Sequence, residues 1–221
     1  TSLTVLPSYI CRPKRNLVMT NVYKLHPWHG VELGSEAPEL VTAYIEIIPS
    51  DTVKYEIDKH SGYLKVDRPQ KFSNIVPVLY GSIPQTYCAE DVANLNMRST
   101  GRSGIKGDGD PLDILVLTER EITHGDILVR AYPIGGFRLV DNNEADDKII
   151  AVLKSDDVYG LWKDISDVPT TIINRLKHYF LTYKQMPYKE PTCIIDEVYG
   201  REGAFEVIRA SIEDYHHHFR R

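Results

Sequence analysis

The 221-residue chain carries 26 Lys and Arg against 31 Asp and Glu, a formal charge of −5, with 42% hydrophobic and 26% charged residues. These are the proportions of a folded globule, and the acidic balance argues against bulk electrostatic binding to nucleic acid or to an anionic membrane surface. No run approaches the roughly 20 apolar residues of a membrane span; even Leu112 to Leu117 is interrupted by Asp113.

Residues 1–40 mix Pro, Gly and His without periodicity, which predicts an irregular arm with one short strand at Asn16 to Tyr23. The first residues lack a basic segment followed by an apolar core, so no signal peptide is expected. His26 and His29 flank Trp28 across Pro27 and are expected to pack the arm against the body. Cys11, Cys88 and Cys193 form neither a metal-type pair nor a disulfide framework, which fits a reducing, cytoplasmic setting.

From Val41 the pattern turns to short β-rich runs, Val41 to Ile48, Thr52 to Asp58 and Tyr63 to Arg68, with turn residues between them. They read as adjacent antiparallel strands. Further runs at Asp113 to Thr118, Ile127 to Leu139 and Lys148 to Leu153 approach the strand count of a small closed barrel. Between Gly81 and Gly107 the glycines and weak apolar order predict a long, functional loop. Helical spacing appears late: Ile172, Ile173, Leu176, Tyr179, Phe180 and Tyr183 share one face, with Asp167 as expected cap and Pro169 in the first turn. Phe205, Ile208, Ile212, Tyr215 and Phe219 predict a second helix, separated from the first by a connection through Pro187 and Pro191. His216, His217 and His218 are consecutive on that helix and point about 100° apart, so they read as a solvated end and not as a metal site.

The densest chemistry lies in Gly107-Asp108-Gly109-Asp110-Pro111-Leu112-Asp113, three carboxylates within six residues and no cation among them. Two unit charges 4 Å apart repel by about 4 kcal/mol at a protein surface, so converging aspartates need a cation between them. All-oxygen donors without His or Cys favour Mg²⁺, Mn²⁺ or Ca²⁺. A solvated acidic turn has the same composition, and the motif alone leaves both readings open. An EF-hand loop is excluded, because Asp113 stands where the obligatory glycine belongs and the flanks are a Gly-rich segment and a β-type run. Acid and base recur at strand spacing in Lys54 and Glu56 and in Asp146 and Lys148, while Glu46 is flanked by Ile45 and Ile47. Each alone is what a wet strand face shows. Together they suit a polyanionic phosphate, with carboxylates for metals and cations for developing charge. No P-loop is present.

The chain resembles the soluble, family I inorganic pyrophosphatases. The signature Asp-x-Asp-Pro-hydrophobic-Asp is met by Asp108, Asp110, Pro111, Leu112 and Asp113, and the family's order continues in Tyr44 to Pro49, Lys54 to Asp58, Val66-Asp67-Arg68, Tyr80-Gly81, Asp146-Asp147-Lys148 and Tyr183-Lys184. The resemblance implies an α+β, mainly β fold: an OB-type closed β-barrel with two or more helices packed outside. It implies a single domain over 1–221, with an arm at 1–40, the barrel core and first helix at 41–184, and a C-terminal connection and helix at 185–221. The implied reaction is Mg²⁺-dependent hydrolysis of inorganic pyrophosphate by a metal-activated water. Asp108, Asp113, Asp146, Asp141 and Glu46 would hold metals, while Asp110, Glu56 and Tyr80 would serve catalysis. Lys54, Arg68, Lys148, Tyr183 and Lys184 would hold phosphates. A homo-oligomer without nucleic-acid or membrane partners is expected. Val76 departs from a tyrosine, and Asn142 from an acidic residue, at positions where many members carry them. A related metal phosphohydrolase acting on polyphosphate or a nucleotide, and a non-catalytic OB-type binding module, are the competing readings.

Overall fold

Unbroken aliphatic runs need burial on both faces, and the computed structural model supplies it. The structure describes residues 24–186, 188 and 190–219; the strand expected at Asn16 to Tyr23, together with Cys11 and Pro187, lies outside them. Strand β1 (Val41–Ile47) is buried at all seven positions. It pairs antiparallel with β4 (Leu79–Ser82) on one side and with β7 (Ile127–Asp141) on the other. β4 pairs antiparallel with β6 (Asp113–Leu117), β6 parallel with β9 (Lys148–Leu153), and β9 antiparallel with β7. The pairings thus return to β1 and close a ring of five strands. Short strands β5 (Lys106–Gly107) and β8 (Glu144–Ala145) extend it beyond β7, and β10 (Cys193–Gly200) lies antiparallel to β7. β2 (Val53–Ile57) and β3 (Leu64–Pro69) form a separate antiparallel hairpin. Among the described residues the fold is mainly β with three α-helices, α1 (Glu90–Thr100), α2 (Thr170–Thr182) and α3 (Arg201–Phe219).

Alternation along β6 and β9, with a register shift between Ile45 and Ile47 of β1, sends side chains to two separate cores. Ile45, Ile114, Val116, Ile149 and Ala151 pack with Val92 of α1 and Val207 and Ile208 of α3. Ile47, Leu115, Leu117, Ile150 and Val152 pack with Ile173, Leu176 and Phe180 of α2. The close approach of β4 to β1 requires glycine at 81, since a Cβ there would stand 1.8 Å from the Tyr44 carbonyl oxygen.

Four expectations change. The runs at 41–48 and 52–58 are not paired neighbours in a sheet, because Asp51 turns the chain by accepting the Ile48 N–H (2.8 Å) and β2 leaves to form its own hairpin. The segment 82–107 contains helix α1; Gly101, at φ 70°, is its left-handed C-terminal stop and donates its N–H to the Met97 carbonyl (3.0 Å). The connection after Pro191 contains β10, which finds its partner only on β7. Asp167 does not cap α2: Pro169 stands at the N-cap, and Asp167 instead accepts the N–H groups of Lys163 and Asp164 in the preceding turn. The described part of the arm, from residue 24, packs as expected. Trp28 is buried and donates Nε1–H to the Thr86 carbonyl (2.7 Å), while His29 Nδ1 lies 2.9 Å from the Tyr215 hydroxyl.

Helix α1 has no side-chain N-cap of its own. Its first turn is closed from a distance by buried Asp214 of α3, which accepts the N–H groups of Ala89 (2.9 Å), Asp91 (2.9 Å) and Val92 (3.0 Å). Replacing Asp214 by Ala removes a cap and leaves buried donors unpaired, so a loss of about 2–4 kcal/mol is expected in denaturant unfolding. Hydrogen exchange should accelerate at Ala89 to Val92 first; unchanged exchange there would refute the capping role.

Candidate active site

Side chains converge where the ring's rim meets the β2–β3 hairpin, the 107–111 loop and the residues after α2. Parallel pairing of β6 with β9 sets Asp113 directly beside Lys148, and Asp146, just before β9, lies against the same ammonium. The Lys148 ammonium bridges Asp113 and Asp146 while its side chain is only 2% exposed. From β4, Tyr80 donates its hydroxyl to Asp113 Oδ2 at 2.5 Å. After α2, Lys184 pairs with Asp141 at 2.5 Å. In the loop, Gly109 turns at φ 72° so that Asp108 accepts the Asp110 N–H (3.0 Å). Glu46 of β1 is buried and accepts the Ile57 N–H (3.1 Å), which docks the hairpin on the ring. On that hairpin Lys54 lies 3.1 Å from Glu56 and 3.0 Å from Asp67.

These side chains enclose a cavity of about 200 Å³. Twelve of the thirteen residues expected from the sequence line it: Glu46, Lys54, Glu56, Tyr80, Asp108, Asp110, Asp113, Asp141, Asp146, Lys148, Tyr183 and Lys184. Arg68 does not. Its guanidinium pairs with Asp67, which also holds Lys54, so it stands one residue behind the wall. Sequence reading missed Lys59 and Glu144, both in the lining. Lys59 sits in the β2–β3 turn, where its charge reads as solvated; in space its ammonium pairs with Asp110 and lies 3.3 Å from the Gly109 carbonyl. Glu144 follows Asn142 and Asn143, both at positive φ, an Asn-Asn signal for the tight β7–β8 turn. That backbone accounts for Asn142, whose amide donates to Asp141 (3.2 Å), while the next acid is supplied by Glu144. Val76 is fully buried in the core and makes no part of the cavity.

The lining holds eight carboxylates and four ammonium groups. With all of them ionised, four negative charges remain, the charge of two divalent cations. Burial and the Asp146 charge push Asp108 well above the usual carboxylate range, and burial and Asp113 push Glu46 up to about 8. Burial holds the Tyr80 phenol well above its ordinary value, so it stays protonated, and lifts Tyr183 to about 12. Burial opposes the charge of Lys148, but Asp113 and Asp146 outweigh it and keep the ammonium protonated. An oxygen-only donor set short of positive charge fits a hard divalent cation. Among the described residues, Asp91, Asp214 and His217 also bring ligand atoms within 4.8 Å of one another. Both Asp214 oxygens there already accept backbone N–H groups, and His217 is exposed, so that cluster serves the α1 cap. In the cleft, Lys59, Lys148 and Lys184 stand between or against the carboxylates and keep their oxygens apart.

Fold and site together define a class: an enzyme-type cleft rich in carboxylate and ammonium groups at the rim of a mainly-β ring. The inorganic pyrophosphatase family pattern matches residues 43–216. The inorganic pyrophosphatase of Chlamydia muridarum is 54% identical over 196 residues, covering 86% of this chain and 94% of that protein. Soluble inorganic pyrophosphatase 2 of Chlamydomonas reinhardtii is 37% identical over 194 residues, covering 88% and 90%. The crystal structure of inorganic pyrophosphatase from Thermus thermophilus superposes with a TM-score of 0.72 at 30% identity, covering 87% of this chain and 99% of that one. The chain belongs to the soluble, family I inorganic pyrophosphatases.

Glu46 makes the cation-free protein pH-sensitive. Its carboxyl binds a proton up to about pH 8 when folded against 4.5 as a free group. The folded state therefore holds the extra proton, and the stabilisation, complete below about 4.5, is lost as pH rises toward 8. Denaturant unfolding without divalent cations should show stability falling by up to about 4–5 kcal/mol between pH 5 and 8. Glu46→Gln should flatten most of that fall, and an equally steep curve in the variant would assign it elsewhere.

Proposed function

We propose that this chain hydrolyses inorganic pyrophosphate to two phosphates with Mg²⁺ as cofactor. The observation that carries the reading is the buried Lys148 ammonium held between Asp113 and Asp146 inside a cavity with excess carboxylates. Asp108, Asp113 and Asp146, with Asp141 and Glu46 at the edges, would hold the ions. Bound Mg²⁺ neutralises phosphate oxygens and makes water a better nucleophile at neutral pH. A volume of about 200 Å³ suits a compact anion and its cations better than a nucleotide, whose pockets run to roughly 300 Å³ and above.

The remaining steps belong to the chain's own groups. A water oxygen attacks one phosphorus, its proton passes to Asp110, and the bridging P–O bond breaks to release the second phosphate. Lys59 holds the Asp110 carboxylate toward the loop until substrate enters. Lys54, Lys148 and Lys184 neutralise charge that grows on the phosphate oxygens, and Tyr80 and Tyr183 donate hydroxyl protons to them. Glu56 fixes Lys54, and Arg68 acts on the same lysine through Asp67. An OB-type barrel, a single domain over 1–221, a cytoplasmic location and a homo-oligomer without nucleic-acid or membrane partners belong to this reading. The closed ring supports the first, and exposed Tyr63, Val66, Phe72 and Leu161 support self-association. Among the described residues no helix is long and apolar enough to cross a membrane.

Phosphate release from pyrophosphate should require Mg²⁺ and stop with chelator. Asp110→Asn should lower kcat by about 10²–10⁴-fold, the range of a lost general base; unchanged turnover in Asp110→Asn and Asp113→Asn would place the chemistry elsewhere. Lys59→Met removes a cation that the cavity offers to the anion, so KM for pyrophosphate should rise about five- to thirtyfold. Tripolyphosphate and ATP, assayed side by side, should be poorer substrates.

A further inference from the structure

Between the two cleft residues Asp146 and Lys148 lies Asp147, whose side chain is turned away from the cavity toward α1, β7 and β10. It is 1% exposed and its carboxylate is surrounded by four donors from three elements. Arg138 of β7 pairs with Oδ2 at 2.5 Å, and the Tyr199 hydroxyl of β10 donates to the same oxygen at 3.3 Å. Asn96 of α1 donates to Oδ1 at 3.2 Å, and the Leu139 backbone N–H adds a further bond. Arg138 is itself 2% exposed, with its guanidinium 4.6 Å from the centre of the Tyr199 ring. The backbone makes room for this arrangement: a Cβ on Gly136 would stand 2.5 Å from the Tyr199 hydroxyl.

A buried ion pair contributes little stability relative to apolar residues of the same volume. Short charge-assisted bonds do, however, allow one geometry only. Here that geometry sets the backbone at 146–148, because the Asp146 N–H is bonded to the Leu139 carbonyl (3.0 Å) and Lys148 opens β9 opposite Asp113. We propose that Asp147 and Arg138, assisted by Asn96 and Tyr199, are positioning residues that hold Asp146 and Lys148 at their places in the cleft and tie helix α1 to them. None of the four touches the cavity. The inference rests on the hydrolase reading for its kinetic consequence, and on the cleft alone for its effect on cation binding.

Two groups of variants test it in the full chain. Arg138→Met/Asp147→Leu replaces the pair by apolar groups, and melting should stay within about 5 °C of the parent. Both kcat and Mn²⁺ affinity, the latter by calorimetry without substrate, should fall about 10- to 100-fold, as when partners behind a metal ligand are lost. Tyr199→Phe removes one hydroxyl, and Arg138→Lys keeps the charge but not the fork; both should fold and show the same losses in smaller measure. If the double variant does not fold, these two decide. Parental kcat and Mn²⁺ affinity in the folded variants would overturn the proposal. A parent that releases no phosphate from pyrophosphate would overturn the hydrolase reading instead, and calorimetry would still decide the positioning role.

Discussion

A single ammonium group, that of Lys148, holds the cleft together electrostatically. A lysine this deeply buried would lose its proton without partners, and Asp113 and Asp146 would repel each other without it. Their mutual neutralisation depends on register. β6 and β9 run parallel with Asp113 opposite Lys148, so a slip of one residue would send the lysine to the opposite face of the strand and leave two carboxylates uncompensated. The two apolar cores that sandwich these strands therefore serve the site as well as the fold, since they fix which residues face the rim.

Around this centre the remaining groups arrive on pieces anchored separately. The hairpin brings Lys54, Glu56 and Lys59 and is fastened through the Glu46 carboxylate and the Ile57 N–H. The chain after α2 brings Tyr183 and Lys184, with Tyr183 stacked on Tyr179 at 5.2 Å. The 107–111 loop brings Asp108 and Asp110 and is held by the Cys88 N–H on the Asp110 carbonyl (2.9 Å). Much of the cavity wall is thus built from segments outside the ring, which keeps these chemistry-bearing segments separate from the strands that carry the fold. Buried acids without enough positive charge are a standing destabilisation, and both Glu46 and Asp147, the latter raised to about 6 chiefly by burial, give their part of it to the pH dependence of the cation-free fold.

Much of the site was legible in the linear chain because many of its acids and bases lie on strands, next to a strand end or in one short loop. A strand's period of two tells which neighbours share a face, so Lys54 with Glu56 and Asp146 with Lys148 could be paired before any contact was known. Arg68, expected from the family resemblance, shows what pattern does not tell: whether a long side chain reaches the cavity depends on the partner it meets, here Asp67. Lys59 escaped for the opposite reason, since a charge in a turn carries no periodicity and acquires its partner, Asp110, 51 positions away, only when the hairpin folds onto the loop.

Local pattern alone determined four of the five ring strands, all but β4, together with the two late helices and the aspartate motif, because side-chain alternation, helical spacing and clustered charge are properties of neighbours in sequence. Tertiary structure decided the rest. Helix α1 carries few apolar residues and no cap of its own and exists because Asp214, more than a hundred positions away, closes its first turn. β10 became a strand because β7 offered it an edge. The face to which Asp147 turns was predictable, but the four donors it meets there come from segments that only the closed fold brings together.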